Sequence, residues 1–151
     1  MGTHYKGPPD IRQALDAYIK LVRASESVTS RVIRHLDDEG LTVSQFGVLE
    51  ALFHLGPLSQ RELAQKILKS GGNVTMVIDN LEKQGLVKRE RDAEDRRLYR
   101  ITLTPPGRKL IKNIFPPHAE KIASQMNILT KDELQVLGHL CRKLGLQEAE
   151  G

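Results

Sequence analysis

The sequence has a single cysteine, Cys141, and no apolar run approaching the ~18 residues that a membrane span requires. One cysteine closes no internal disulfide and builds no multi-thiolate metal site, which excludes a disulfide-stapled secreted scaffold and a zinc ribbon. Between Met1 and Asp10 there is no apolar segment of the kind a signal peptide uses, so a cytoplasmic location is expected. Catalytic motifs are missing as well. There is no Gly-x-Ser-x-Gly elbow and no His-Glu-x-x-His pair, and Gly71-Gly72 is too short to cradle a nucleotide, so neither an enzymatic role nor a cofactor is expected. Internal repeats and low-complexity tracts are absent too.

What is present is a soluble globular balance: 151 residues, 28% charged and 39% apolar. The net charge of +4 hides an uneven distribution. Ten basic residues face four acidic ones between Lys83 and Lys112, while the rest of the chain is mildly acidic. A basic block in an otherwise acidic chain points to an anionic partner, with double-stranded DNA first in line.

Period and caps supply the elements. A heptad stripe of Ile11, Leu15, Tyr18, Val22, Ser25, Thr29, Val32 and Leu36 predicts a long helix over 10–39, ended by Gly40. Thr42-Val-Ser-Gln45 is a capping box opening a helix to Leu55, with Phe46, Leu49 and Leu52 inward. Gly56-Pro57 breaks it, and Ser59-Gln-Arg-Glu62 opens a short helix that buries Leu63, Ala64, Ile67 and Leu68. Ser70-Gly71-Gly72 is expected as a tight turn before a helix from Asn73 to Gln84, stopped by Gly85. The period then shifts to two. Runs at 86–92 and 97–103, either side of Ala93-Glu94-Asp95, predict a β-hairpin. Thr104-Pro105 opens a helix to about Ile128 that Pro116-Pro117 is expected to kink or interrupt. Thr130-Lys-Asp-Glu133 caps a last helix, closed near Gly145.

Helix, tight turn, helix and basic hairpin make the layout of a winged helix-turn-helix. In the helix after the turn, Val74, Val77, Ile78 and Leu81 must face the core. Thr75, Met76, Asp79, Asn80 and Lys83 then share the outer face, with Asn73 at its entrance, where a helix lying in the major groove reads base edges. Ser59, Gln60 and Gly72 flank that reader and join the expected DNA contacts. From the hairpin, Lys88, Arg89, Arg91, Arg96, Arg97 and Arg100 are expected along the backbone and minor groove. The reading face holds no arginine, the commonest reader of guanine. Asn73 and Asn80 suit adenine, and the methyls of Thr75 and Met76 suit thymine, so an A·T-leaning half-site is expected.

The motifs Leu49-Glu-Ala-Leu52, Glu62-Leu-Ala64, Asn73-Val-Thr75, Leu81-Glu82, Gly85-Leu-Val87, Asp95-Arg-Arg97 and Leu103-Thr104 with Gly107 are similar to those of the MarR family of transcription regulators. The resemblance implies a mainly α fold with a small β-hairpin wing and helical dimerisation arms at both ends. Residues 1–9 would be a tail, 10–41 and 105–151 the arms, and 42–104 the DNA-binding domain. It implies a homodimer on a palindromic site, with Arg97 entering the minor groove, Asp95 bracing the wing and Arg96 on a phosphate.

The dimer seam is expected at Ile11, Leu15, Leu134, Leu137, Cys141 and Leu144, because one small core cannot cover both apolar stripes. On that reading Cys141 is a buried, inert thiol rather than a redox sensor. The resemblance also implies an effector pocket between arms and reader, with Tyr18, Val22, His35, Phe46, Phe53 and His118 as its lining. The stretch Ile114 to Ile122 and the Lys143-Leu-Gly145 ending are similar to members that respond to quinones and phenolic compounds, so a phenolic, quinone or lipophilic effector is expected. His35 with Asp38, or His54 with His118, is too sparse a set to hold a metal. The expected function is a sequence-specific DNA-binding repressor released by its ligand. An activator, or a winged helix that docks an acidic protein, uses the same scaffold.

Overall fold

A computed structural model describes residues 2–67 and 71–148. The elements run α1 (Pro9–Asp38), α2 (Val43–Leu55), β1 (Leu58–Ser59), α3 (Gln60–Ile67), α4 (Gly71–Lys83), β2 (Val87–Arg91), β3 (Tyr99–Leu103), α5 (Pro105–Met126) and α6 (Lys131–Leu146). Among the described residues no helix is long and apolar enough to cross a membrane.

Local chemistry sets the boundaries. The Thr42–Gln45 and Thr130–Glu133 capping boxes both form, and Ser59 and Glu62 exchange backbone and side-chain bonds of 2.9 and 3.1 Å in the same way. Gly85 takes φ of +73°, open to glycine at little cost, where the chain leaves α4 for β2. The expected turn at 70–72 falls partly outside the described residues, as does Leu68; α4 begins at Gly71, so Gly71 and Gly72 lie in its first turn. At the other end of the chain α6 passes Gly145 and is capped by Gln147 in the left-handed region, φ 56°.

Two further differences have physical causes. Pro116-Pro117 does not interrupt α5, which runs on to Met126. Each proline removes one N–H, and the packing of α5 on α1 and α2 holds the helix across the gap, helped by the Arg31 guanidinium donating to Gln125 Oε1 at 3.2 Å. The hairpin, in turn, belongs to a three-stranded antiparallel sheet of order β1-β3-β2. β1 pairs Leu58 with Ile101 and Ser59 with Arg100; a two-residue strand carries no period that a sequence can show.

One core joins the reader to the inner ends of the arms. Leu36 of α1, Phe46, Val48, Leu49 and Leu52 of α2, Leu63 of α3, Val74, Ile78 and Leu81 of α4, Val87, Ile101, and Ile111 and Ile114 of α5 are all buried. The outer arms contribute almost nothing. Leu36 alone is buried among the thirty residues of α1, and α6 buries none.

Candidate nucleic-acid interface

The helical period divides the exposed side of α4 into two stripes. Opposite the buried Val74, Ile78 and Leu81 lie Asn73, Met76, Asn80 and Lys83, all exposed. On the flank toward the sheet lie Thr75, Asp79 and Glu82, and each is held from within the chain. The Gln60 amide of α3 donates to Thr75 Oγ1. Arg89 of β2 spans the two carboxylates: Nη2 meets Asp79 Oδ1 at 2.6 Å and Nη1 meets Glu82 Oε1 at 2.9 Å. The Arg89 backbone N–H also donates to Glu82 Oε2 at 3.2 Å. Pleat explains the reach. β2 pairs Val87 with Leu103 and Arg89 with Ile101, and since successive residues alternate faces, Arg89 follows the buried Val87 toward α4.

The wing tip is built on carboxylates. Asp92, buried, accepts the backbone N–H groups of Glu94 at 2.8 Å and Asp95 at 3.1 Å through Oδ1, and Arg100 Nε at 2.5 Å through Oδ2. The Arg100 bond first, then the two backbone donors, hold its carboxyl at about 2, well below the usual carboxylate range. The ionised form therefore stabilises the fold at neutral pH, and that contribution is lost as pH falls from about 4 toward 2. Asp95 plays a different part. It receives Arg97 Nε and Nη2 at 3.1 Å each and the Arg97 N–H at 3.1 Å, and Arg97 lowers its pKa. Arg97 is nonetheless 89% exposed, so this fork aims an arginine that remains open to a ligand. Arg91 bonds the Arg96 carbonyl at 2.7 Å and lies over Tyr99, and Lys88 pairs with Glu90 at 2.8 Å.

The bracing expected of Asp95 is thus divided: Asp92 folds the turn and Asp95 points Arg97. The part played by Asp92 carries no signal in the sequence, because its spacing has meaning only within the hairpin register. Arg89, expected along the DNA, is turned inward, and alternation from Val87 contains that information. Ser59 is spent on its capping box and Gln60 on Thr75, while Met76, Asn80, Lys83, Arg96 and Arg97 stay outward and Gly72 sits at the start of α4.

Residues 39–98 match the model of the MarR family. Over 134 residues, 89% of this chain and 92% of its relative, the sequence is 32% identical to the HTH-type transcriptional regulator MhqR of Bacillus subtilis. The chain belongs to the MarR family. Among solved structures it is similar to BpsR of Bordetella bronchiseptica, whose DNA binding is regulated by 6-hydroxynicotinic acid, with TM-score 0.75 and 31% identity over 86% of this chain and 91% of that one. It is also similar to MepR of S. aureus in its complex with DNA, with TM-score 0.77 and 25% identity over 87% and 98% of the two chains. Like its relatives this MarR chain is a winged-helix, DNA-binding transcriptional regulator.

The residues expected to line a MarR effector pocket separate into groups. His35 of α1, Phe46 of α2 and His118 of α5 meet: the imidazole centroids are 6.0 Å apart, and Phe46 lies 4.2 Å from His118. Phe53 instead lies against His54, ring centroids 5.1 Å apart, and His54 packs edge-on to Phe115 at 4.6 Å. Tyr18 and Val22 do not converge there. Tyr18 and His35 are seventeen positions apart on α1, about 25 Å of helix; Tyr18 and Val22 line instead a groove of about 550 Å³ under Gly2–Tyr5. Among the described residues no group of three metal-ligating side chains forms.

Two buried nitrogens in the His–Phe–His cluster, His35 Nε2 and His118 Nδ1, have no hydrogen-bond partner. Burial, and then the neighbouring His35, lower the pKa of His118 below the ordinary 6.5. The unfolded chain then takes up the proton first, so stability falls as pH drops below about 6.5. Melting temperature is expected to decrease between about pH 7.5 and about pH 5.5, and His118→Phe to flatten that decrease. An equal slope in the variant would locate the titration elsewhere.

Within its own chain Cys141 is exposed, on a helix that buries none of its residues there. Leu134 and Leu137 are half-buried, while Val136, Leu140 and Leu144 form the open apolar stripe of α6. Along α1, Ile11, Tyr18 and Leu21 are exposed and Leu15 is half-buried.

Proposed function

We propose that this regulator is a homodimeric repressor in the cytoplasm, gripping a palindromic duplex through two copies of the α4–wing unit and released by a small hydroxyaromatic ligand. The open stripes of the arms support dimerisation. A side chain such as Leu gains ~1.5–3 kcal/mol on burial, and Ile11, Tyr18, Leu21, Val136, Leu140 and Leu144 remain 38–62% exposed to solvent. In the dimer the segments 10–41 and 105–151 act as arms around the reader at 42–104. The outer stripe of α4 then reads bases, Asn73 and Asn80 favouring adenine and Met76 thymine methyls, while Arg97 enters an A·T-narrowed minor groove.

The observation that carries the ligand reading is the pair of orphan nitrogens on His35 and His118, at the meeting of both arms with the reader. A buried polar group without a partner costs ~1–3 kcal/mol. A hydroxyl or carboxylate on an aromatic ring would satisfy both imidazoles while the ring packs on Phe46, in keeping with the response of the similar BpsR to 6-hydroxynicotinic acid. Ligand wedged between α1, α2 and α5 would change the separation of the two α4 helices, which must match half-sites ~34–36 Å apart, and shift the population away from the DNA-competent state.

A gel-shift titration across salt, with a duplex selected from a random pool by the protein itself, tests this reading. Binding should fall with a log–log slope of ~−0.9 per phosphate neutralised, and the complex should hold two chains. Hydroxyaromatic acids or quinones should dissociate it and raise the melting temperature of the free protein by mass action, effects lost in His118→Phe. A flat salt response would favour docking to an acidic protein instead.

A further inference from the structure

We propose that Arg89 is the residue that masks the reading helix's own negative charge, and that it touches no phosphate itself. The proposal rests on the DNA-reading role of α4 and the wing. With a helix in the major groove and a wing in the adjacent minor groove, the phosphate strand dividing the two grooves must run over the surface where α4 meets the sheet. Asp79 and Glu82 stand on that flank, with side chains 48% and 43% exposed. Left bare, two carboxylates per protomer beside a polyanion would repel it over about a Debye length.

Arg89 sits where it cancels them. Its side chain is only 22% exposed, its two terminal nitrogens are committed to different carboxylates, and its own backbone N–H takes the remaining oxygen of Glu82. An arginine so placed has spent its fork inside the chain and lies on the core-facing side of β2, opposite Ile101. The three groups therefore form a closed unit that carries one net negative charge in place of two. Lysine, a compact point charge without the fork, would not span Asp79 and Glu82 together. Affinity then depends on residue 89 through the state of Asp79 and Glu82.

A mutant cycle in the full chain, read by affinity for the selected duplex at low salt, separates the possible roles. Arg89→Ala is expected to weaken binding about tenfold or more, because the bared carboxylates meet the strand. Asp79→Asn with Glu82→Gln, which leaves nothing to mask, should bind at least as well as the unaltered protein. Adding Arg89→Ala to that pair should return affinity to within about threefold of the unaltered protein. If the triple variant binds as poorly as Arg89→Ala alone, Arg89 contacts DNA directly and the proposal is overturned. If the Asp79–Glu82 pair alone binds as poorly as Arg89→Ala, the ion pairs serve only to fix the angle between helix and wing, which also overturns it. Arg89→Gln passes through the same comparison as a milder replacement should the alanine variant melt at the assay temperature. DNA binding by the unaltered protein is read separately, so failure of the masking role and failure of the DNA-reading role give different results.

Discussion

Arg97→Ala is expected to cost the proposed dimer at least about thirtyfold in affinity for its selected duplex. A side chain engaged in a groove contributes about 1–3 kcal/mol per half-site, and a dimer uses two, so the lower bound is about 2 kcal/mol. The size follows from the geometry of the tip. Arg97 is 89% exposed and, among the described residues, is held by the Asp95 fork, a surface pair that solvent screens, so little free energy is spent in turning it to DNA. Asp95 in turn rests on the turn that Asp92 folds. Arg96→Ala should lose less and lose it evenly across sequences, as a phosphate contact does, whereas Arg97→Ala should also weaken the preference for A·T at the flanking positions. Equilibrium gel shifts on the selected duplex and on one with G·C flanks check both statements. Affinity within twofold of the unaltered protein for Arg97→Ala would remove the wing tip from the interface.

Gly107→Ala is expected to destabilise the fold by about 3 kcal/mol or more, at the upper end of overpacking. A Cβ on residue 107 would stand 1.9 Å from the carbonyl oxygen of Leu86 and 2.8 Å from its carbonyl carbon. Neither atom can give way. Leu86 O accepts the Thr104 N–H at 3.1 Å, and the neighbouring Gly85 O accepts the Thr104 hydroxyl at 2.6 Å, while Thr104 Oγ1 caps Gly107 N at 3.1 Å. The first turn of α5 is thus pressed against the junction of α4 and β2, the hinge that sets the reading helix against the wing. Chemical denaturation should report the loss, and operator affinity should fall with it even in the fraction that stays folded. Stability within about 1 kcal/mol of the unaltered protein would show that the junction relaxes.

The glycine also shows how far a motif can be read without coordinates. Leu103-Thr104 and Gly107 are legible as part of a family pattern, but only the close approach of Leu86 gives the physical reason for the third of them. Caps were readable because their chemistry is local: Thr42 with Gln45, Ser59 with Glu62 and Thr130 with Glu133 each lie within one turn. The outer stripe of α4 was readable from helical period, since Val74, Ile78 and Leu81 define its reverse. Asp79 was not, because its partner lies ten residues on in a strand whose register depends on β3. The pocket was half readable. Period places Tyr18 and His35 on one helix but says nothing of where α5 crosses it, so His35 and His118 joined while Tyr18 and Val22 fell far from them.

The order of residues alone determined most of the helices, the basic hairpin and the apolar stripes of the arms, because caps, period and charge act within a few residues along the chain, whereas β1 and the continuity of α5 across Pro116-Pro117 depend on packing. Which arginines stay available to DNA was decided by the tertiary structure. Strand pairing turned Arg89 inward onto Asp79 and Glu82 and bound Arg100 to Asp92, and left Arg97 outward. Charge can be counted along a chain, but neutralisation happens at a few ångströms between groups that only folding brings together.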